Sequence, residues 1–384
     1  MVEQRIPFFR PAIDEEDIEA VVRTLRSGWL TTASNVKALE AELAVYTGAK
    51  HVNAVNSATA AMHLCLVAWG LGPGDEVITT PYTFSATATV VIHTGADVVF
   101  ADIREHDFNI DPEQIERRIT PRTRAIIPVH FAGEPCDMDA IMDIAKRHNL
   151  LVLEDAAHAV GSLYKGRRVG SIGDATAFSF YATKNITTGE GGALATDEGE
   201  LSEHVRMLTL HGMNRDAWNR YGPGGSWRYD VAEFGFKDNL TDPAAALGRS
   251  QLRKIDALME RRTKVVQRYF ANLRDEEHLI LPGFREENRS AWHLFEVRVR
   301  NESAAVPRDD VIRQLAERGI GASVHFIPVH YHSAYEKLGR WKQGDFPVAE
   351  GNFEGAISLP LYPDMTDAEV DEVCQALREI LHGG

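Results

Sequence analysis

Cysteine is scarce: Cys65, Cys136 and Cys374 are the only three in 384 residues. With no C-x-x-C pair and no metal-type spacing of Cys and His, neither a disulfide scaffold nor a zinc module is expected. Reduced thiols in a cytoplasmic protein are expected instead. Long apolar runs are also missing. Nothing approaches the ~18 residues of a membrane-spanning helix, and the opening MVEQRIPFFRP lacks the apolar centre of a signal peptide. Basic charge is in deficit, with 41 Lys and Arg against 56 Asp and Glu, a formal net charge of −15 with 15 histidines neutral. That argues against nucleic-acid binding, which needs clustered basic groups. It leaves room for an anionic small molecule, because a helix N-terminus can hold a phosphate on an acidic protein. The glycine run TTGEGG is no nucleotide P-loop either, since its lysine precedes the glycines instead of closing them.

What is present is an ordinary globular composition, 44% hydrophobic and 25% charged. The length exceeds what one core usually supports. Two domains are expected, a large one over 1–250 and a smaller one over 251–384. Helical periodicity covers 13–26, ending before Gly28, and 35–46. Then the strand-like runs HVNAV, VITT, DVVFAD, AIIPVHF and LLVLED alternate with helical patterns at 59–69, 85–93 and 137–148. This rhythm predicts an α/β fold, a mostly parallel mixed sheet with helices on both faces. Past residue 240 the pattern predicts one long helical region over 241–273, a strand in WHLFEVRV, and helices at 309–318 and 367–381, a smaller α+β unit.

Chemistry concentrates at strand ends. LLVLED stops on Glu154 and Asp155, and ligands in open α/β sheets sit at the carboxyl ends of strands. In SFYATKNITTGEGG (179–192), Lys184 lies on a tight connection between two apolar runs. It can be a solvated charge, a phosphate-binding lysine or a covalent catalyst. A carboxylate and a lysine facing one cleft suit pyridoxal phosphate: the lysine forms a Schiff base with the aldehyde, and the aspartate pairs with the pyridine nitrogen. NSATAA (56–61) offers backbone N–H groups at a helix start for the phosphate, and Ser179 can add a hydroxyl. Tyr82 or Phe84 could stack on the ring or belong to the core. The glycines after Lys184 would let the chain turn sharply, so that its amine reaches the cofactor.

Seven stretches carry a resemblance: SGWLTT (27–32), NSATAAMHL (56–64), PGDEVITTPYTFSATA (73–88), PVHFAGEPCDMDAI (128–141), VLEDAAHAVGS (152–162), FSFYATKNITTGEGGA (178–193) and GFKDNLTDPAAALGRSQL (235–252). In this order, over nearly the whole chain, the sequence resembles the DegT-type nucleotide-sugar aminotransferases, a branch of the fold-type I pyridoxal phosphate enzymes. The resemblance implies Lys184 as the Schiff-base lysine and proton carrier, and Asp155 as the partner of the pyridine nitrogen. It places Phe84 on the ring, and Ser57, Ala58, Thr59 and Ser179 around the phosphate. His158 falls where the family has Gln or His near the cofactor, with a plain structural histidine as the alternative. Asn239 matches the asparagine that reaches the neighbouring subunit's cofactor, which implies a homodimer with shared sites. Trp29, Thr31 and His325 are expected near the substrate, while His330 and His332 are expected to be structural. No metal is implied.

The activity so implied is transfer of an amino group from L-glutamate, through pyridoxamine phosphate, to a keto group of a nucleotide-linked deoxy sugar. The GFKDNLTD segment favours C4, with C3 as the alternative. Three departures from the family pattern bear on substrate contacts: Ala33-Ser34-Asn35, Glu134 and Asp238. Lys184 argues against the sugar 3-dehydratase branch, which has histidine there. No cysteine sits in a glycine-rich loop, as a desulfurase would need. A non-catalytic cofactor-binding regulator would be expected to carry a basic DNA-binding extension, which is not seen.

Overall fold

The computed structural model describes residues 5–213 and 229–383. A seven-stranded sheet forms its centre: β1 (His51–Val55), β2 (Glu76–Thr79), β3 (Asp97–Phe100), β4 (Thr123–Ile127), β5 (Leu151–Asp155), β6 (Ala175–Ser179) and β7 (Gly192–Thr196), in spatial order β1-β7-β6-β5-β4-β2-β3. The pairs β2–β3, β2–β4, β4–β5 and β5–β6 are parallel, while β1–β7 and β6–β7 are antiparallel. The expected mostly parallel mixed sheet is therefore present. Its strands are short and almost entirely buried, as β2, β6 and β7 show, because helices cover both faces.

Register decides where the chemistry collects. Val55, at the end of β1, pairs with Gly192 at the start of β7, and Gly192 pairs with Ser179 at the end of β6. Asp155 closes β5. The antiparallel strands thus bring the exit of β1 and the entry of β7 to the same sheet edge as the carboxyl ends of β2, β4, β5 and β6. The helix that follows β1, Ala58–Ala68, starts at that edge with Ser57 as its N-cap, whose side chain accepts from the Ala60 N–H.

A second, three-stranded antiparallel sheet contains Leu279–Ile280, Phe295–Val299 and Ala356–Leu359. Phe295, Val297 and Val299 point into its own core with Leu377, Ile380 and Ile357. The alternate residues Glu296 and Arg298 face the other way.

Several expected boundaries move. The helical region over 241–273 is two helices, Asp242–Arg253 and Ile255–Leu273, broken at Lys254. The Lys254 ammonium reaches Asp14 and Asp17 of the first helical segment, at 2.6 and 2.5 Å, a tertiary contact with no local sequence signal. AIIPVHF is a strand only to Ile127, because Pro128 offers no N–H to the ladder. WHLFEVRV is a strand only from Phe295, since Trp292 takes a left-handed φ of 45°. The helices expected at 59–69, 137–148 and 367–381 form within a residue of those bounds. Among the described residues no helix is long and apolar enough to cross a membrane.

Candidate active site

A cavity of about 500 Å³ opens at the sheet edge described above. Ser57, Ala58, Thr59, Phe84, Asp155, His158, Ser179, Lys184 and His325 all line it. Residues more than 260 positions apart in sequence thus meet in one place. Asn239, Trp29 and Thr31 do not line it. Asn239 bridges Val55 from outside, and its side-chain amide donates to Thr32 at 2.7 Å. Trp29 instead borders a separate cleft with Arg23, Arg249 and Arg253.

Strand alternation separates the two carboxylates of LLVLED. Glu154 points away from the cavity. It accepts from Gly173 N and Thr176 Oγ1, each at 2.8 Å, and lies 2.9 Å from His130 Nε2, with both side chains fully enclosed. It is a buried carboxylate held by hydrogen bonds, for His130 Nδ1 accepts from the Cys136 N–H and leaves Nε2–H to donate to Glu154. Asp155 points into the cavity. The Thr87 hydroxyl donates to its Oδ2 at 2.7 Å, and the Ala157 N–H donates to its Oδ1 at 3.1 Å. Burial pushes the Asp155 carboxyl up, opposed by the Thr87 hydrogen bond. A cation bound opposite it would hold it ionised.

Lys184 follows β6 in a turn closed by its N–H donating to Tyr181 O at 2.9 Å. Burial lowers its ammonium to about 8, with the Asp155 charge acting in the opposite direction. A lysine with a free-amine fraction near neutral pH is a competent nucleophile and proton carrier. Three imidazoles surround it. His158 and His293 lie with ring centroids 4.4 Å apart. Burial and the Lys184 charge keep both well below the usual histidine range. His325 is lowered to about 4 by burial and then by the Lys184 charge. A cluster kept neutral can sit around a cation without repelling it. His158 lines the cavity, and its Nδ1 is buried without a hydrogen-bond partner.

The glycine run fits the start of the Ala58–Ala68 helix. A Cβ on Gly192 would lie 2.4 Å from Ser57 C, 2.5 Å from Ala58 N and 2.7 Å from Phe178 O. Only glycine permits that approach, which holds the helix N-terminus at the cavity. This revises the expected reason for the glycines. The turn after Lys184 needs only Gly189, at φ 81°, whereas Gly192 serves close packing. A helix N-terminus, the Ser57 and Thr59 side chains, and Ser179 meet at the cavity, an arrangement that could hold a phosphate. A buried carboxylate, an amine of lowered pKa and an anion cradle around one cavity are the donor set that pyridoxal phosphate requires.

Phe84 is 62% exposed at the cavity mouth, with Phe326 6.0 Å from it. Tyr82, its alternative, is fully buried core. Sequence reasoning missed Thr87, His293, Tyr181, Phe326 and Phe8. Thr87 sits one turn after Thr83 in a repetitive SATAT run, and nothing local marks it as a partner of Asp155. His330 is structural as expected, buried and 3.0 Å from Glu350 Oε1. Away from the cavity, Glu276, His278 and His382 converge to within 4.8 Å. The carboxylate there is already engaged by His382, with Arg378 at 4.0 Å.

Residues 11–378 match the DegT/DnrJ/EryC1/StrS aminotransferase family model. The spore coat polysaccharide biosynthesis protein SpsC of Bacillus subtilis is 52% identical, over 100% of both chains. Among solved structures, the putative sugar aminotransferase Spr1654 of Streptococcus pneumoniae in its PMP form superposes with a TM-score of 0.92 at 37% identity, over 98% of this chain and 99% of that one. PseC of Helicobacter pylori, an aminotransferase involved in the biosynthesis of pseudoaminic acid, gives 0.91 at 31% identity, over 98% and 99%. The chain belongs to the DegT/DnrJ/EryC1/StrS family and is a pyridoxal phosphate-dependent sugar aminotransferase with the fold-type I architecture.

Proposed function

We propose that this enzyme moves an amino group from L-glutamate to the C4 keto group of a nucleotide-linked deoxy sugar, giving the amino sugar nucleotide and 2-oxoglutarate. The observation that carries the reading is the meeting of Lys184, Asp155 and the Ser57–Thr59 helix start around one cavity. The likeness of the GFKDNLTD segment (235–242) to 4-keto-sugar enzymes supports C4.

Pyridoxal phosphate, when bound, supplies the aldehyde that takes up the amino group and a ring that accepts electrons. The protein's own residues do the rest. Ser57, Ala58, Thr59 and Ser179 hold the phosphate. Asp155, kept in place by Thr87 and the Ala157 N–H, holds a proton on the ring nitrogen. Lys184 would hold the cofactor through its amine. Once displaced, its amine removes the donor's α-proton and returns a proton in each half of the cycle, a role its lowered pKa supports. His158 lines the cavity and would lie near the ring. Phe84, which lines the cavity, would stack on the ring.

Asn239, Trp29 and Thr31 would act on the site of a second copy, forming a homodimer with shared sites. Their position outside their own chain's cavity supports this. The large domain would then be 1–250 and the small one 251–384.

The test is a panel of keto-sugar nucleotides offered with L-glutamate, with mass and NMR analysis of the amino sugar. Amination at C4 is expected, and amination at C3 alone would reject the C4 assignment. Lys184→Ala should abolish turnover, and retained glutamate turnover in that variant would reject the role of Lys184.

A further inference from the structure

A hydrogen-bonded chain runs from the cavity into the protein behind it. His325 Nδ1 lies 2.8 Å from Ser358 Oγ, Ser358 Oγ lies 3.5 Å from Glu296 Oε2, and the Tyr82 hydroxyl donates to Glu296 Oε1 at 3.0 Å. Ser358, Glu296 and Tyr82 are each at most 1% exposed. The chain spans two structural units. Glu296 and Ser358 are direct partners on adjacent antiparallel strands of the small sheet. Tyr82 belongs to the loop after β2 that carries Thr83 and Phe84 to the cavity. His325 is the only member that lines the cavity. With Nδ1 engaged, Nε2 is its nitrogen available to a ligand.

We propose that Glu296, acting through Ser358, sets the tautomer of His325 and so presents an Nε2–H donor to an oxygen of the acceptor sugar. This rests on the reading that the keto sugar occupies the cavity. The logic is proton counting. The Ser358 hydroxyl has one proton to give. When Glu296 is a neutral acid, its Oε2–H donates to Ser358. Ser358 then donates to His325 Nδ1, and the ring proton sits on Nε2, facing the cavity. When Glu296 loses its proton, Ser358 turns to donate to the carboxylate and must accept from His325. The ring proton moves to Nδ1, and Nε2 offers a lone pair instead. One proton leaves the chain, and the polarity seen by the ligand inverts.

The surroundings favour the donor form at neutral pH. Burial pushes the Glu296 carboxyl up to about 8, opposed by the Tyr82 hydrogen bond, the Arg298 charge, Ser358 and the Arg308 charge. On the cavity side, burial and the Lys184 ammonium keep the imidazole neutral, so its tautomer and not its charge is what the chain controls. Glu296 and Ser358 are positioning residues and touch no substrate.

The test reads the tautomer directly. In holoenzyme labelled with 15N-histidine, the His325 signals, assigned by their loss in His325→Gln, should show Nε2–H at pH 7 and change to Nδ1–H as pH passes about 8. In Glu296→Gln the amide donates permanently to Ser358 while its oxygen still accepts from Tyr82. Nε2–H should then persist to pH 9. In Ser358→Ala the chain is cut and the inversion should disappear. In kinetics, wild-type kcat/KM for the amino acceptor should fall on the alkaline side with the same midpoint, roughly tenfold per pH unit, and Glu296→Gln should lack that limb. An Nδ1–H tautomer at pH 7, or an inversion that survives in Ser358→Ala or Glu296→Gln, would overturn the proposal. The NMR result stands whichever sugar is the substrate, so it separates failure of this inference from failure of the C4 assignment. Should Glu296→Gln not fold, Ser358→Ala decides alone.

Discussion

Thr87 controls Asp155, and replacing it with valine isolates that control. The side chains have the same shape, so Thr87→Val removes one of the two donors to the buried carboxylate and leaves the Ala157 N–H. A hydrogen bond to a charged group contributes about 1.5–3 kcal/mol. At about 1.4 kcal/mol per pKa unit, its loss should raise the Asp155 carboxyl by about 1–2 units beyond its already elevated position. A raised folded-state pKa means the folded apoenzyme keeps this proton to higher pH. A ligand with a protonated ring nitrogen needs the carboxylate ionised. Affinity should therefore fall as pH drops through the Asp155 pKa, and Thr87→Val should move that limb toward higher pH by about 1–2 units. The assay is titration of apoenzyme with pyridoxamine phosphate between pH 5 and 9. The amine form cannot condense with Lys184, so the titration reads reversible binding alone, and the Lys184 contribution is common to wild type and variant. Thr87→Ser keeps the hydroxyl and the contact to Thr83 Oγ1 at 2.9 Å, and should follow wild type. Superimposable limbs for wild type and Thr87→Val would refute the claim that this hydroxyl holds Asp155 ionised.

Further outcomes follow from the same geometry. In Gly192→Ala the new methyl must push the start of the Ala58–Ala68 helix away. Cofactor content after purification should drop several-fold, and full stoichiometry would contradict the cradle. Glu154→Ala leaves three buried donors, His130 Nε2–H, Gly173 N–H and the Thr176 hydroxyl, unpaired, and at about 1–3 kcal/mol for each unsatisfied group it should cost several kcal/mol in urea unfolding. Glu154 is held below its ordinary value of 4.5. Its contribution is thus present above that value and lost as pH falls through the lower folded-state pKa, so the gap between wild type and variant should shrink on acidification. The rate at which pyridoxal phosphate attaches to apoenzyme should rise with pH with a midpoint near 8 and level off above it, following the Lys184 amine. A midpoint near 10 would show that the amine is not desolvated.

Much of the sheet was readable because buried parallel strands produce short apolar runs and their ends are marked by a change to polar residues. LLVLED is the clearest case, since Asp155 closes the strand as its sequence suggests. The helix over 367–381 was equally plain, with Thr366 and Glu369 forming a capping box. The break at Lys254 was not readable, because it depends on two aspartates about 240 positions away. The small-sheet strand was overextended for a local reason, the left-handed Trp292. His293, next to it, gave no sign that it would pair with His158 beside Lys184.

The sequence by itself determined the kinds of chemistry available: an amine after one strand, a carboxylate closing another, small residues opening a helix, and a glycine run after the amine. Residue type and local periodicity are enough for that. Only the tertiary structure decided which groups share a cavity and in what protonation state. Strand alternation turned Asp155 into the cavity and Glu154 into a buried hydrogen-bond cluster. Glu296, a polar residue in an apolar strand, became the far end of a chain leading to His325. Those assignments depend on distance and desolvation, and both arise from contacts between residues far apart in the chain.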